Sequence, residues 1–440
     1  MVSQEVEENM SHGMPETNVD GSTQPEEKPH QGSEDDANKD EKNLKKKRKV
    51  AIFLSYVGHG YQGMQRNPGC KTIEDDLFEA LHKSGAISDA NADDSGFQKI
   101  HWARAARTDK GVSAMCQVVS LMMIPYPDDL IERINSNLPD VIHVLGYQRV
   151  VRGFDARKTC DQRRYEYIFP AWVFDPSVQS VSQGGEPSVA DEKDESLTNS
   201  KRRRVLTERD PNFVFDEACA AKMTSILQQF EGTHNFHNYT VKMDPNSPQA
   251  KRFMLKFECN GTFEIDGEPW VRMTVLGQSF ILHQIRKMVG MAIAEYKGIA
   301  PEGSLKYALK ARQRIVVPMA PDLGLFLDEC IFKAYNDRWK DLHGPLSFDV
   351  YRDEVEKFKM AKLYPSLARR DREENVNASW LQGIHEDAFK FSTWKSGKPT
   401  GALVGSKKRK NEQKQTEKAL NKKMQAPPSL MAHLSAEYSD

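Results

Sequence analysis

At 440 residues, 38% hydrophobic and 28% charged, with a mean hydropathy of −0.66, the chain is long enough for two average domains but polar for a globular enzyme. Its net charge of −1 averages two unlike parts, because residues 1–42 hold twelve acidic and three basic side chains and leave the remainder at +8. No apolar run nears the ~20 residues of a membrane span, no secretory or mitochondrial leader is expected, and six scattered cysteines without a CxxC pair fit reduced thiols in an intracellular protein better than a zinc site.

Residues 1–42 lack Phe, Trp, Tyr, Ile and Leu, so they cannot bury enough apolar area to offset their ordering entropy, and a disordered tail is predicted over 1–44. A basic block, Lys45 to Lys49, leads into Val50-Ala51-Ile52-Phe53-Leu54-Ser55-Tyr56, which reads as a buried strand. Gly58, Gly60 and Gly63 mark the following loop. Thr72 then caps a predicted helix with acidic residues in its first turn and Ile73, Leu77, Ala80 and Leu81 on one face. Further elements follow as a strand at 117–124, a helix at 128–138, and strands at 141–151 and 164–169. Residues 176–210, rich in Ser, Gly and Glu and including Lys201 to Arg204, read as a surface insertion with no structure of its own. Beyond it come a helix at about 215–230, strands at 251–259 and 270–276, a helix at about 280–296, another near 302–313, and a strand at about 325–334. The pattern from 347 to 389 is helical, and from Gly405 the chain is polar and basic, with Lys407 to Lys410. The chain thus divides into a tail (1–44), an N-terminal half (45–175), the insertion (176–210), a C-terminal half (211–340), a helical extension (341–400) and a basic tail (401–440). Two halves with crossover helices and mixed strand spacing predict an α+β sheet of two related subdomains, and a cleft between them is a natural ligand site.

Three polar clusters can carry chemistry. In Arg104-Ala105-Ala106-Arg107-Thr108-Asp109-Lys110-Gly111, the flanking cations predict a lowered pKa for Asp109, and an ionised carboxylate can act as nucleophile or stabilise an oxocarbenium-like centre. A surface ion-pair loop is the plainer alternative. In Arg163-Arg164-Tyr165-Glu166-Tyr167-Ile168-Phe169, strand alternation puts Tyr165, Tyr167 and Phe169 on one face, where they could stack on bases or simply fill a core. In the predicted helix Phe280–Gly290, His283, Arg286 and Lys287 share a face away from the apolar stripe. No Walker loop, zinc-deaminase signature or dinucleotide fingerprint is present.

Gly60-Tyr61-Gln62-Gly63-Met64-Gln65-Arg66, Ala106 through Ala114 with its Arg107-Thr108-Asp109, Gly153-Phe154-Asp155-Ala156-Arg157, Arg164-Tyr165-Glu166-Tyr167 and Phe280 through Gly290 occur in an order that resembles the TruA family of pseudouridine synthases, in its eukaryotic nuclear branch. The resemblance spans residues 50–335, with Met64 and Lys110 standing where bacterial relatives usually have Trp and Ala. It implies the pseudouridine synthase fold, two related ferredoxin-like halves sharing a mixed, largely antiparallel sheet around a central RNA-binding cleft. It further implies that Asp109 is the catalytic aspartate, that Tyr165 stacks beneath the target uracil, and that Arg286 holds the aspartate by an ion pair. Arg107 would enter the space left by the flipped nucleotide, with Lys110, Arg66, Arg164 and His283 as further RNA contacts. The expected reaction is isomerisation of uridine in tRNA, in the anticodon arm, with messenger or small nuclear RNA as further substrates. It needs no cofactor and no metal. A monomer acting in the nucleus, imported through the basic clusters and without a membrane partner, completes the expectation. A catalytically silent RNA-binding protein on the same fold and a base-excising glycosylase are the rival readings.

Overall fold

The computed structural model describes residues 46–93, 95–182 and 204–396; the expected tails at 1–44 and 401–440, and Lys45 and Lys201 to Arg203 of the basic clusters, lie outside the described residues. The first half supplies strands β1 (Arg48–Tyr56), β2 (Ala103–Arg104), β3 (Ser113–Met123), β4 (Ile142–Arg149) and β5 (Gln162–Pro170). Every residue of β1 after Arg48 is buried, because antiparallel β3 and β4 flank it and other elements cover its faces. Helix α1 (Ile73–Lys83) begins as expected: the Thr72 hydroxyl accepts from the Asp75 N–H, and Glu74, Asp75 and Asp76 sit at the positive end of the helix. Helix α2 (Leu130–Ser136) buries Leu130 and Ile134.

The insertion departs from expectation at its stem. Strands β6 (Ser180–Ser182) and β7 (Arg204–Leu206) form an antiparallel ribbon, and Ser180 donates to the Gln382 carbonyl at 2.8 Å. Backbone groups leaving the core find partners in each other, which a composition argument cannot see.

After helix α3 (Glu217–Leu227) come β8 (Gly232–Asn235), β9 (Lys251–Ile265), β10 (Glu268–Gly277), helices α4 (Gln284–Tyr296) and α5 (Ser304–Lys310), and β11 (Leu325–Ile331). The nine-stranded sheet runs β4-β1-β3-β11-β5-β10-β9-β8, with β2 added on β3. Its neighbours are antiparallel except β3 and β11, which run parallel at Phe326↔Ser113 and Leu327↔Ala114. This is the mixed α+β sheet expected from the sequence. Strand β5 pairs with β11 and β10, so the division of the sheet does not follow a chain break at 175.

Helix α6 (Lys333–His343), which the sequence reading did not predict, follows β11. The extension then packs against the sheet. Phe53 of β1 meets Phe348 and Tyr351 at 4.9 and 5.5 Å, and Trp380 stacks on Phe169 at 5.4 Å. From a single π-helical turn (Lys359–Leu363), Lys359 reaches Asp328 at 3.0 Å, and Arg164 grips the same carboxylate at 2.5 Å. Among the described residues, no helix is long and apolar enough to cross a membrane, and no group of three or more His, Cys, Asp or Glu could hold a metal ion.

Candidate active site

A cavity of about 670 Å³ opens where the β2–β3 loop faces the segment leading into α4. One wall is Arg104 to Asp109, the other Gln278 to Arg286, and Tyr165 of β5 contributes between them.

Asp109 is held by its backbone rather than by its own side chain. Ala105 N–H donates to Val118 at 2.8 Å, and Gln117 bonds both the N–H and the carbonyl of Ala106. The Tyr56 and Thr108 hydroxyls lie 2.8 Å apart, and Met64 N–H donates to the Thr108 carbonyl at 3.2 Å. Gly63, at φ 114°, passes so close that a Cβ would stand 2.8 Å from that carbonyl. The turn closes with Val112 N–H on the Asp109 carbonyl, and Gly111 supplies its positive φ of 77°. The Gly60–Arg66 segment is therefore the scaffold of the Asp109 loop.

Asp109 meets the opposite wall at His283. The His283 ring Nε2 stands 3.8 Å from Oδ2, and the His283 main-chain N–H donates to the carboxylate. His283 is not on the helix face expected for it. It precedes α4 in the left-handed region at φ 62°, which aims its backbone N–H away from the helix and toward Asp109. Arg286 lies in the first turn of α4, where its Nε donates to the Ala320 carbonyl at 2.8 Å and the Ala320 N–H returns a bond to the Arg286 carbonyl. Its charge favours the ionised Asp109 across space, while the contact within 4 Å is with the His283 ring. The expected direct Asp109–Arg286 pair is thus replaced in this structure by a His283 contact backed by Arg286.

The expected lowering of the Asp109 pKa is also corrected. Burial raises it, and His283 and Arg286 offset only part of that rise. Arg107 and Lys110, the sequence neighbours credited with lowering it, are both exposed and are not among the charges that act most on it, and Lys110 does not line the cavity. Burial in turn lowers the His283 pKa against the pull of Asp109, which favours a neutral imidazole.

Tyr165 is buried, packs edge-on against Phe280 at 5.1 Å, and lies near enough to feel the charge of Asp109. Burial raises its pKa well above the ordinary phenol value, so the hydroxyl keeps its proton. Arg107 sits at the cavity rim, its pKa lowered by burial and by the neighbouring Arg157 and Arg104.

Besides Lys110, two expected RNA contacts lie elsewhere. Arg164, one residue from Tyr165, points to the opposite face of β5 and is tied to Asp328 and Glu329, because alternation sends neighbours to opposite sides. Arg66 pairs with Asp75 at 3.0 Å and covers the Phe97 ring, outside the cavity lining.

The sequence reading missed Arg163. Nearly buried, its guanidinium makes five hydrogen bonds to the carbonyls of Ala105, Arg157, Cys160 and Gln278, at 2.7 to 3.3 Å, lacing the Asp109 loop to the far wall. The one available signal was parity: Arg163 shares the inward phase of Tyr165 and Tyr167, where an arginine must find buried partners. Arg157 and Arg252 also line the cavity.

Comparison with known proteins bears on what such a cavity does. Residues 226–333 match a family model described as tRNA pseudouridine synthase. The chain is 36% identical over 365 residues to the Pseudouridylate synthase 1 homolog of Mus musculus, covering 82% of this chain and 79% of the relative. The human protein of that name is 37% identical over 362 residues, covering 81% and 77%. The tRNA pseudouridine synthase 1 of Saccharomyces cerevisiae is 34% identical over 411 residues, covering 82% and 75%.

Proposed function

Since this chain belongs to the TruA-type family of tRNA pseudouridine synthases, we propose that its cavity isomerises uridine to pseudouridine in tRNA. The observation that carries this reading is the half-buried Asp109 facing His283 and Arg286 with Tyr165 alongside. The reaction exchanges an N1–C1′ bond for a C5–C1′ bond in one nucleotide. Nothing is oxidised and nothing is added, so the protein must extrude the base, labilise the glycosidic bond and hold the loose uracil while it turns. Asp109 acts at the ribose, Tyr165 supports the base, and Arg107 at the rim fills the vacated stack. His283 and Arg286 keep Asp109 ionised in a site that would otherwise protonate it. Isomerisation leaves RNA mass unchanged, whereas base excision loses the base and a silent binder changes neither mass nor structure. Pseudouridine mapping of tRNA incubated with the purified chain therefore separates the three, and unmodified uridines throughout would refute the proposal. Messenger and small nuclear RNAs, assayed alongside, test the wider range.

The raised Asp109 pKa has a definite sign in a pH profile. A reaction that needs the carboxylate loses activity as pH falls through that raised value, which lies above the ordinary aspartate pKa. Arg286→Met removes a charge that opposes the rise, so the acid limb of kcat should move to higher pH, while Arg286→Lys keeps it near its original place. An unmoved limb in the Met variant would separate Arg286 from Asp109.

Tyr165→Phe should preserve the packing on Phe280 but lose most turnover, and Tyr165→Ala should also weaken productive binding, base stacking being worth ~1–3 kcal/mol. Near-normal rates in both would remove Tyr165 from the chemistry.

We further propose a monomer working in the nucleus, the basic clusters serving import, except Lys49, which is buried in β1 and bonded to the His101 carbonyl. The full chain should accumulate there, and neutralising Lys45 to Arg48 together with Lys201 to Arg204 should abolish accumulation while sparing turnover on a short RNA. Continued nuclear accumulation after neutralisation would reject this role.

A further inference from the structure

The cations around the cavity are accounted for differently. Arg104 is paired with the buried Glu74, Arg163 is saturated by carbonyls, and Arg286 is bonded to Ala320 in the field of Asp109. Arg107 and Arg157 stay exposed at the rim. Arg252, at the start of β9 on the wall opposite Asp109, fits none of these cases. Its Nε is shut off from solvent and has no hydrogen-bond partner. Its one hydrogen bond among the described residues is from Nη1 to the carbonyl of Lys251, at 2.7 Å. No carboxylate pairs with it among the described residues, and burial alone lowers its pKa. Its neighbour across the ladder is His234, whose ring nitrogen is bonded to the Glu231 carbonyl.

A half-buried guanidinium with no counter-charge is partly desolvated without compensation, and a ligand that supplies the charge would offset that cost. The Arg252 Nη2, which makes no hydrogen bond among the described residues and is not occluded as Nε is, offers charged donors to an anionic oxygen in the cavity. Uracil is neutral and brings no counter-charge to it. The anion an RNA strand can bring into this cavity is its phosphodiester. We infer that Arg252 is a phosphate-binding residue that grips the non-bridging oxygens of one phosphodiester of the substrate strand. With Asp109 on the facing wall, such a grip fixes the ribose between a held phosphate and the carboxylate, where a displaced strand would leave C1′ out of reach.

This inference rests on reading the cavity as the site for a uridine in RNA, and its test runs without turnover. The full chain and its Arg252→Gln and Arg252→Lys variants are titrated with a short uridine-containing RNA over a range of salt. A set of the same RNA carrying one methylphosphonate at each successive position is titrated in parallel. Arg252→Gln should weaken binding about 10-fold, as for one charge-assisted pair, and shallow the log–log salt slope by about 0.7. Arg252→Lys should restore the slope but only part of the affinity, since it keeps the charge and loses the planar, weakly hydrated guanidinium. One methylphosphonate position should penalise the wild-type chain and leave Arg252→Gln unaffected. Melting temperatures of the variants should match or exceed that of the wild type, because an uncompensated half-buried charge has been removed. Unchanged affinity and slope in Arg252→Gln, or methylphosphonate penalties equal in both chains at every position, would overturn the inference. A chain that shows this coupling but forms no pseudouridine would keep the phosphate site and lose the isomerase reading.

Discussion

Asp109→Asn should lower pseudouridine formation by roughly 10⁴-fold or more, the scale on which removal of an essential catalytic group acts, while RNA affinity changes by no more than a few-fold. The amide has nearly the shape of the carboxylate and still accepts from the His283 N–H, so the loop geometry built from Gln117, Thr108 and Met64 has no reason to move. What is lost is the charge and the nucleophilic oxygen. Stability supplies an internal control of opposite sign. The folded-state pKa of Asp109 lies above its unfolded value, so the native state binds this proton more tightly than the unfolded chain does. Stability attached to this group is therefore present at low pH and is lost as pH rises from the ordinary carboxylate value through the raised one. At neutral pH that cost is present in full, and asparagine removes it. Single-turnover kinetics paired with thermal melts at pH 7 should show an inactive protein whose melting temperature equals or exceeds the wild type. Substantial turnover by the purified variant would sink the assignment of Asp109, whereas inactivity with a much lower melting temperature would mean that the substitution had only broken the fold.

Arg163→Met should have the largest effect on stability of any cavity substitution. The methionine fills part of the space, but four carbonyls lose their donor in a buried place, and Ala105 loses two bonds at once. With 1–3 kcal/mol for each stranded acceptor and some relief from entering water, the loss should reach about 3–5 kcal/mol, at the upper end for point mutants. Activity should fall further than the folded fraction does, because the surviving molecules have lost the tie between the Asp109 loop and Gln278. Denaturant melts measure the first effect, and kcat corrected for folded protein measures the second. Arg163→Lys, able to reach fewer of the carbonyls, should lie between. A melt within 1 kcal/mol of wild type would show that the five bonds are replaceable by water.

Much of the core architecture could be read in advance because the relevant signals are local. The apolar run Val50 to Tyr56 admits a buried strand, and Thr72 before three acidic residues marks a helix start. The block from Arg107 to Ala114 needed only order and spacing to point to Asp109. Failures arose where the deciding interaction lies far away in sequence. Helix α6 buries Tyr335 and otherwise shows too polar a face for an apolar stripe to announce it. His283 turns left-handed because Asp109, 174 positions earlier, waits for its N–H, and no pattern within Phe280–Gly290 encodes that. Reading Asp109 from Arg107 and Lys110 gave the wrong sign of pKa shift, since sequence neighbours on an exposed turn matter less than the walls that exclude water. Arg164 was avoidable. Its parity opposite Tyr165 was visible in the sequence, and its pairing with Glu329 and with Asp328, which Lys359 shares, follows once the extension covers that face.

The parallel seam between β3 and β11 has a consequence for how the chain is made. Strand β3 leaves the Asp109 loop and β5 carries Tyr165, yet in the sheet they are separated by β11, one of the last strands to be synthesised. While the ribosome has delivered only the first 320 residues, the sheet has a gap at its middle, and β3 and β5 each present an unpaired edge to the cytosol. The two walls of the cavity can be secured only when Leu325–Ile331 slides between them, more than 200 residues after Asp109 emerged. Nascent chains stalled before and after that strand should accordingly differ in protease resistance as a step, with the catalytic loop passing from cleavable to protected at a chain length set by the exit of β11 from the tunnel.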